Sequence, residues 1–328
     1  MVRVAMLSRW HVHADEYANE LKSMDNVEIT YVWDEIKERG AQWAVELGAT
    51  FEANLDSLLM RDDVDAVAIC SPTSMHKEIM VAAAEAGKHI FTEKVMAPTV
   101  KECEEISRAV KKAGVKFCIS LPHRTFPANL FAKKIVQEKI IGDITFLRAR
   151  VAHDGALANW LPDHFYDPEL CGGGAMIDLG THPMYLSRWI LGKPQRITSM
   201  FNSYTNRAVE DNAVCIIEYE NKAIAVVETG FVSPDSPASL EIYGTKGSLV
   251  IGGTENKVRL ISKNIETPVQ GWITPSTLPE ALPRAAVQWI KGITEGAEIF
   301  FGLEEGMQLT ELMEAAYVSH RERREVKI

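Results

Sequence analysis

The chain has 328 residues, 46% of them hydrophobic and 24% charged, with a formal net charge of -10. That length exceeds what one hydrophobic core usually organises, so two domains are expected. The acidic balance argues against a nucleic-acid surface, which needs a basic patch, and no run of about 18 apolar residues calls for a membrane span. No signal-peptide pattern opens the chain, and its five cysteines (Cys70, Cys103, Cys118, Cys171, Cys215) lack paired spacing. They read as buried thiols in a reducing, cytoplasmic compartment.

The first 120 residues alternate apolar runs with amphipathic stretches. Strands are expected at VRVAML (2–7), VEITYVW (27–33), VDAVAIC (64–70), KHIFT (88–92) and VKFCIS (115–120), with helices between them that stop at Gly48, Gly87 and Gly114. Strands and helices alternating at this period imply parallel β-α-β units and a doubly wound sheet. The turn after the first strand is unusual. A dinucleotide turn is normally G-x-G-x-x-G, so that the backbone can approach a pyrophosphate at a helix N-terminus. Here it reads Ser8, Arg9, Trp10, His11, Val12, His13, without a glycine.

From about residue 144 the pattern changes to successive strand-like runs: ITFLRARVA, ITSMFNSYT, NAVCIIEYE, AIAVVETGFV, ASLEIYGT, GSLVIG and KVRLIS. These predict a mostly antiparallel sheet, interrupted by helix at 174–191. The tail from Pro279 to Arg321 returns to helical patterning and could pack on either domain. The expected fold is α/β, a doubly wound parallel sheet over residues 1–121 followed by an α+β domain with an open, mostly antiparallel sheet over 122–328.

Three stretches carry a resemblance: CSPTSMHKEIMVAA leading into AGKHIFTEKVMAPTVKECEEI, then IGDITFLRAR, then GGGAMIDLGTHPMYLSRWILG. Together they resemble the Gfo/Idh/MocA family, the glucose-fructose oxidoreductase and inositol dehydrogenase group, over nearly the whole chain. The resemblance implies a Rossmann domain followed by an open-faced sheet, with NAD as cofactor, NADP being disfavoured. It implies a sugar, sugar derivative or cyclic polyol as substrate. The family pattern E-K-P is Glu93-Lys94-Val95 here, and D-x-G-x-H is Asp178-Leu179-Gly180-Thr181-His182.

Alcohol oxidation needs a hydride acceptor at carbon and a base at the hydroxyl proton, and lysine and histidine suit the second task. By resemblance Lys94, Asp178 and His182 form the catalytic set. In a continuous helix the D-x-x-x-H spacing puts Asp178 and His182 one turn apart on one face. Asp34 follows the second strand on the order of 20 residues past the turn, where an acid meets the adenosine ribose hydroxyls and favours NAD over NADP. Cofactor contacts are expected from Ser8, Arg9, Trp10 and His11, with the pyrophosphate at Ser8 and the helix start. Further contacts are expected from Ser71, Pro72, Thr73, His76, Glu93, Lys94 and His123.

Substrate contacts are expected from Lys94, Arg124, His153, Trp160, Asp178 and His182, with Trp160 available to stack on the apolar face of a sugar ring. Val95 replaces the family's proline, so a cis bond after Lys94, at a cost of about 2.5–4 kcal/mol, is not expected. Tyr185 stands where the family usually has an aspartate three residues past the histidine. His11 and His13, with Asp15 and Glu16 nearby, form an H-x-H of the kind metal sites use. It lies in a turn after the strand with no later repeat to recruit ligands, so no metal is expected. Two alternatives share the resemblance: a glycosidase using NAD for transient oxidation and elimination, and a non-catalytic sensor of sugar or nucleotide, favoured by the glycine-free turn. An open sheet commonly makes subunit contacts, so a homo-dimer or homo-tetramer is expected.

Overall fold

The computed structural model describes residues 1–266 and 271–328. The chain divides into two units, residues 1–121 with 283–310 and residues 122–282 with 311–328. The first unit runs β1 (Val2–Leu7), α1 (Ala14–Lys22), β2 (Val27–Trp33), α2 (Lys37–Leu47), β3 (Thr50–Phe51), α3 (Leu55–Leu59), β4 (Ala66–Ile69), α4 (His76–Glu85), β5 (His89–Thr92), α5 (Val100–Ala113) and β6 (Phe117–Ile119). Its six strands are parallel, in the order β3-β2-β1-β4-β5-β6. The order reverses beside β1, whose neighbours β2 and β4 lie on either side of it. Such a switch point leaves a crevice outside the C-terminal strand ends, where open α/β sheets bind ligands. All four residues of β4 and five of the six in β1 are buried, as strands covered on both faces must be. Helix α5 starts with a full capping box between Thr99 and Glu102 and stops at Gly114, whose φ of 69° is the left-handed conformation that glycine adopts freely.

The second unit contains α6 (Pro127–Gln137), β7 (Ile144–Ala152), α7 (Pro168–Cys171), α8 (Ala175–Asp178), α9 (Thr181–Leu191), β8 (Pro194–Asn202), β9 (Asn212–Tyr219), β10 (Ile224–Gly230), β11 (Ser239–Gly244), β12 (Gly247–Gly252) and β13 (Lys257–Ser262). Then come α10 (Ala285–Thr294), in the first unit, α11 (Leu303–Glu322), within which the division falls, and β14 (Val326–Lys327). The eight strands of the second sheet run β13-β12-β11-β7-β10-β9-β8-β14. Among the described residues every strand pairing of this sheet is antiparallel except β7 with β10, so the sheet is mixed but mostly antiparallel. Within the first unit α10 covers β6, and its buried Trp289 sits 5.7 Å from the Phe91 ring of β5.

One expected element is corrected. The stretch 174–191 is not one helix but two, broken at Leu179–Gly180. The Gly180 N–H reaches back five residues to Ala175 O at 2.9 Å, and a side chain at 180 would meet the Met176 backbone. Asp178 therefore ends one helix and His182 lies in the first turn of the next, so they do not share the face of a single helix.

Candidate active site

In the first unit the glycine-free turn solves the bend with serine. Ser8 is fully buried with φ 73°, the left-handed conformation normally left to glycine. Its N–H donates to Trp33 O at 2.7 Å, and its Oγ accepts the Trp10 N–H at 3.1 Å. The following amides also turn inward: Arg9 N–H donates to Asp34 Oδ2 (2.8 Å), His11 N–H to Cys70 O (3.0 Å) and His13 N–H to His11 Nδ1 (3.2 Å). Asp34, at the end of β2, is saturated. It accepts Arg39 through Nε (2.9 Å) and Nη2 (2.8 Å), together with the N–H groups of Arg9 and Ile36. The Arg9 guanidinium is paired with Asp15 and Glu46, each at 2.8 Å.

Glu93, at the end of β5, collects the chemistry of this unit. Its Oε1 lies 2.7 Å from His13 Nδ1 and 3.7 Å from His11 Nδ1, and it also accepts the Tyr17 hydroxyl. Its Oε2 accepts the Lys94 N–H at 2.7 Å. Burial acts to raise its pKa, but the imidazoles of His11 and His13, then Lys94, hold it well below the usual carboxylate range. Burial, followed by the charge of Glu93, pushes the Tyr17 hydroxyl well up. Lys94 itself is buried.

The Lys94–Val95 peptide is cis, which corrects the expectation drawn from the missing proline. The segment is buried and held on both sides of the bond: Glu93 takes the Lys94 N–H, and Val95 O lies 2.8 Å from His76 Nδ1. The other His76 nitrogen lies 3.1 Å from Ser71 O. Burial lowers the His76 pKa against these hydrogen bonds, so the ring serves to tie the Ser71-Pro72-Thr73 loop to the lysine segment.

In the second unit Tyr185 organises two histidines. Its hydroxyl accepts the His123 N–H at 3.0 Å and lies 2.9 Å from His182 Nδ1. The His123 and His182 rings stack with centroids 4.2 Å apart at 13°. Arg124 lies over the Trp189 ring at 5.1 Å. Trp160 is exposed, donates Nε1–H to Asp154 Oδ1 (2.9 Å) and lies 4.5 Å from the His153 ring, which stacks on Phe231. Burial lowers the His153 pKa, opposed by Asp178 and Asp154.

Several supporting residues carried no signal in the one-dimensional pattern. Glu210 Oε1 accepts the N–H groups of Gly174 and Met176, each at 3.0 Å, and the Tyr317 hydroxyl at 2.6 Å, fixing the start of α8 and hence Asp178. Neither Gly173 nor Gly174 has room for a Cβ beside Tyr317 and the Glu210 carbonyl. Arg39, five residues past Asp34, and Tyr17, on the buried face of α1, were equally silent.

Two family models match this chain: the oxidoreductase family with an NAD-binding Rossmann fold over residues 10–121, and the GFO/IDH/MocA C-terminal domain over 130–250. scyllo-Inositol 2-dehydrogenase (NAD(+)) of Bacillus subtilis strain 168 is 30% identical over 261 residues, covering 76% of this chain and 74% of that protein. The chain belongs to the Gfo/Idh/MocA family. 1,5-Anhydro-D-fructose reductase of Ensifer adhaerens is 29% identical over 78% of each chain. Levoglucosan dehydrogenase of Pseudarthrobacter phenanthrenivorans is 28% identical over 59% of this chain, a match that spans 57% of its own length. A solved structure titled levoglucosan dehydrogenase in complex with NADH has the same fold, with a TM-score of 0.86 at 23% identity, covering 100% of this chain and 99% of that one.

For this Gfo/Idh/MocA chain the fit to NAD is a fit of frame. The strand order supplies the crevice, Ser8 supplies the tight left-handed bend, and Asp34 stands at the end of β2. The amide cradle differs, because the N–H groups of Arg9, Trp10, His11 and His13 are spent inside the protein.

Proposed function

We propose that this chain is an NAD-dependent oxidoreductase acting on a hydroxyl of a sugar, sugar derivative or cyclic polyol. The observation that carries it is the oriented imidazole of His182, fixed through Nδ1 by a buried tyrosine, in a chain whose first unit matches the family's NAD-binding half. NAD, when bound, accepts or returns the hydride. His182 or Lys94 takes or gives the hydroxyl proton, and Asp178 shares the substrate hydroxyl. Arg124, His153 and Trp160 contact the substrate, Trp160 by stacking.

Ser8 and the start of α1 hold the pyrophosphate, with Arg9 or His11 adding positive charge and Trp10 walling the pocket. Asp34 would accept the ribose hydroxyls on giving up one of its present donors. Ser71, Pro72, Thr73, His76, Glu93 and His123 complete the cofactor side. The two units divide the labour, the first for cofactor and the second for substrate. Among the described residues no helix is long and apolar enough to cross a membrane, and all five cysteines are free and buried. That cysteine state supports a cytoplasmic location.

The test is NADH absorbance on incubation with NAD+ and a panel of sugars and polyols. Lys94→Ala and His182→Ala each lower kcat by about 10²- to 10⁴-fold with unchanged thermal melting; full activity in both overturns the assignment. The glycosidase alternative is not favoured, since the relatives named above are dehydrogenases and a reductase. The inward-facing amides of the turn support one second reading, a ligand sensor of the same fold, which predicts binding without hydride transfer.

A further inference from the structure

We propose that His11, His13 and Glu93 form a binding site for a divalent first-row transition-metal ion such as Zn²⁺ in the NAD-free chain, a site that draws on two residues, His11 and Glu93, which the oxidoreductase reading assigns to the cofactor side. The sequence offered the H-x-H motif only the neighbouring Asp15 and Glu16, whereas the fold brings it a carboxylate from the end of β5, about 80 positions later. One ligand atom from each of the three residues lies within 4.8 Å of the others. The imidazole rings of His11 and His13 are 4.6 Å apart, both Nδ1 atoms face Glu93 Oε1, and an ion at His11 Nδ1 replaces the His13 N–H that this nitrogen now accepts. Two imidazoles and one carboxylate are a donor set that Zn²⁺ and its neighbours accept, whereas Mg²⁺ and Ca²⁺ prefer oxygen alone.

The surroundings also suit an ion. The carboxylate is buried at the end of β5. It is oriented from outside by the Tyr17 hydroxyl, which shares a second hydrogen bond with Ser120 Oγ (2.8 Å), and by the Lys94 N–H, as metal-bound carboxylates commonly are. His13 keeps 35% of its side chain exposed, which gives an entry path. An ion takes the place of the proton between His13 Nδ1 and Glu93 Oε1. Their 2.7 Å separation then widens; tetrahedral coordination at about 2.0–2.2 Å needs roughly 3.3 Å between ligand atoms. Three protein ligands leave one position open, the arrangement of catalytic rather than structural zinc sites.

The full chain, stripped with chelator and free of NAD, is titrated with Co²⁺ and then Zn²⁺. The expected result is one ion per chain by calorimetry, a visible Co²⁺ absorption of four- or five-coordinate type that Zn²⁺ abolishes, and a melting temperature that rises with Zn²⁺. His13→Ala and Glu93→Gln weaken binding by about 100-fold or more, and Tyr17→Phe, which removes only the outer support, by roughly 10- to 100-fold. Absence of the Co²⁺ absorption in the unsubstituted chain overturns the site whatever the variants do. So does binding that folded His13→Ala and Glu93→Gln proteins retain in full.

Discussion

Ser8 carries the bend that glycine would otherwise make, and its hydroxyl explains why a side chain is kept there. A left-handed L-residue costs roughly 1–2 kcal/mol, while the Oγ satisfies the buried Trp10 N–H, a group that costs about 1–3 kcal/mol when left unpaired. Ser8→Ala loses the acceptor and keeps the strain; Ser8→Gly loses the acceptor and relieves the strain. The glycine variant is therefore expected to be about 1 kcal/mol more stable than the alanine variant in denaturant unfolding, and equal stabilities would show that the left-handed φ carries no cost at this position. At this scale the sequence was legible in residue type and illegible in partner. Glu93, Lys94 and His182 were picked out by motif, but Tyr185 ties His182, three positions before it, to the His123 N–H, 62 positions before it. The saturation of Asp34 by Arg39 and two amides likewise depends on how the turn closes, which no spacing encodes.

Elements were more legible than contacts, because period and punctuation survive in one dimension. The strands of the first unit are found within a residue or two of their apolar runs, and VRVAML and VEITYVW become β1 and β2 over the expected residues. The short β3 and β14 and the parallel pairing of β7 with β10 had no signal, since two-residue strands have no period and pairing direction is set by the whole sheet. The break at Gly180 was hidden because isolated glycines are tolerated in helices. Packing between α1 and α10 carries a pH prediction. Glu20 on α1 is pushed up from 4.5 to about 7 by burial, with Arg284 Nε no nearer than 3.9 Å. A raised carboxyl pKa means that the folded state binds the proton more tightly. Its stabilising effect is present below about 4.5 and is lost as pH rises through 7. Glu20→Gln is expected to flatten the fall in melting temperature between pH 5 and pH 8, roughly the interval between the two pKa values; an identical slope in both proteins would assign the pH dependence to other groups.

For the molecule as a whole, the second sheet raises the question of what covers its outer face. Helices α8 and α9 pack on one side of β7, β9 and β10. On these strands and β8, Met200, Ile216 and Ile224 remain 72%, 50% and 43% exposed. Ile216 pairs with Thr198 on one side and Val226 on the other, so it lies in the middle of the β8-β9-β10 ladder rather than at a frayed edge. Large apolar side chains standing in the middle of a sheet face are the surface that a second copy of the chain can bury, and a twofold contact brings each patch against itself. Glutamate at position 216 would then set two carboxylates against each other in an apolar interface while leaving the half-exposed position free to fold. Light scattering is expected to give a dimer or tetramer for the unsubstituted chain and a monomer with unchanged melting for Ile216→Glu. An oligomer that survives this substitution would place the subunit contact on another surface, and a monomeric unsubstituted chain would remove the oligomer from the account altogether.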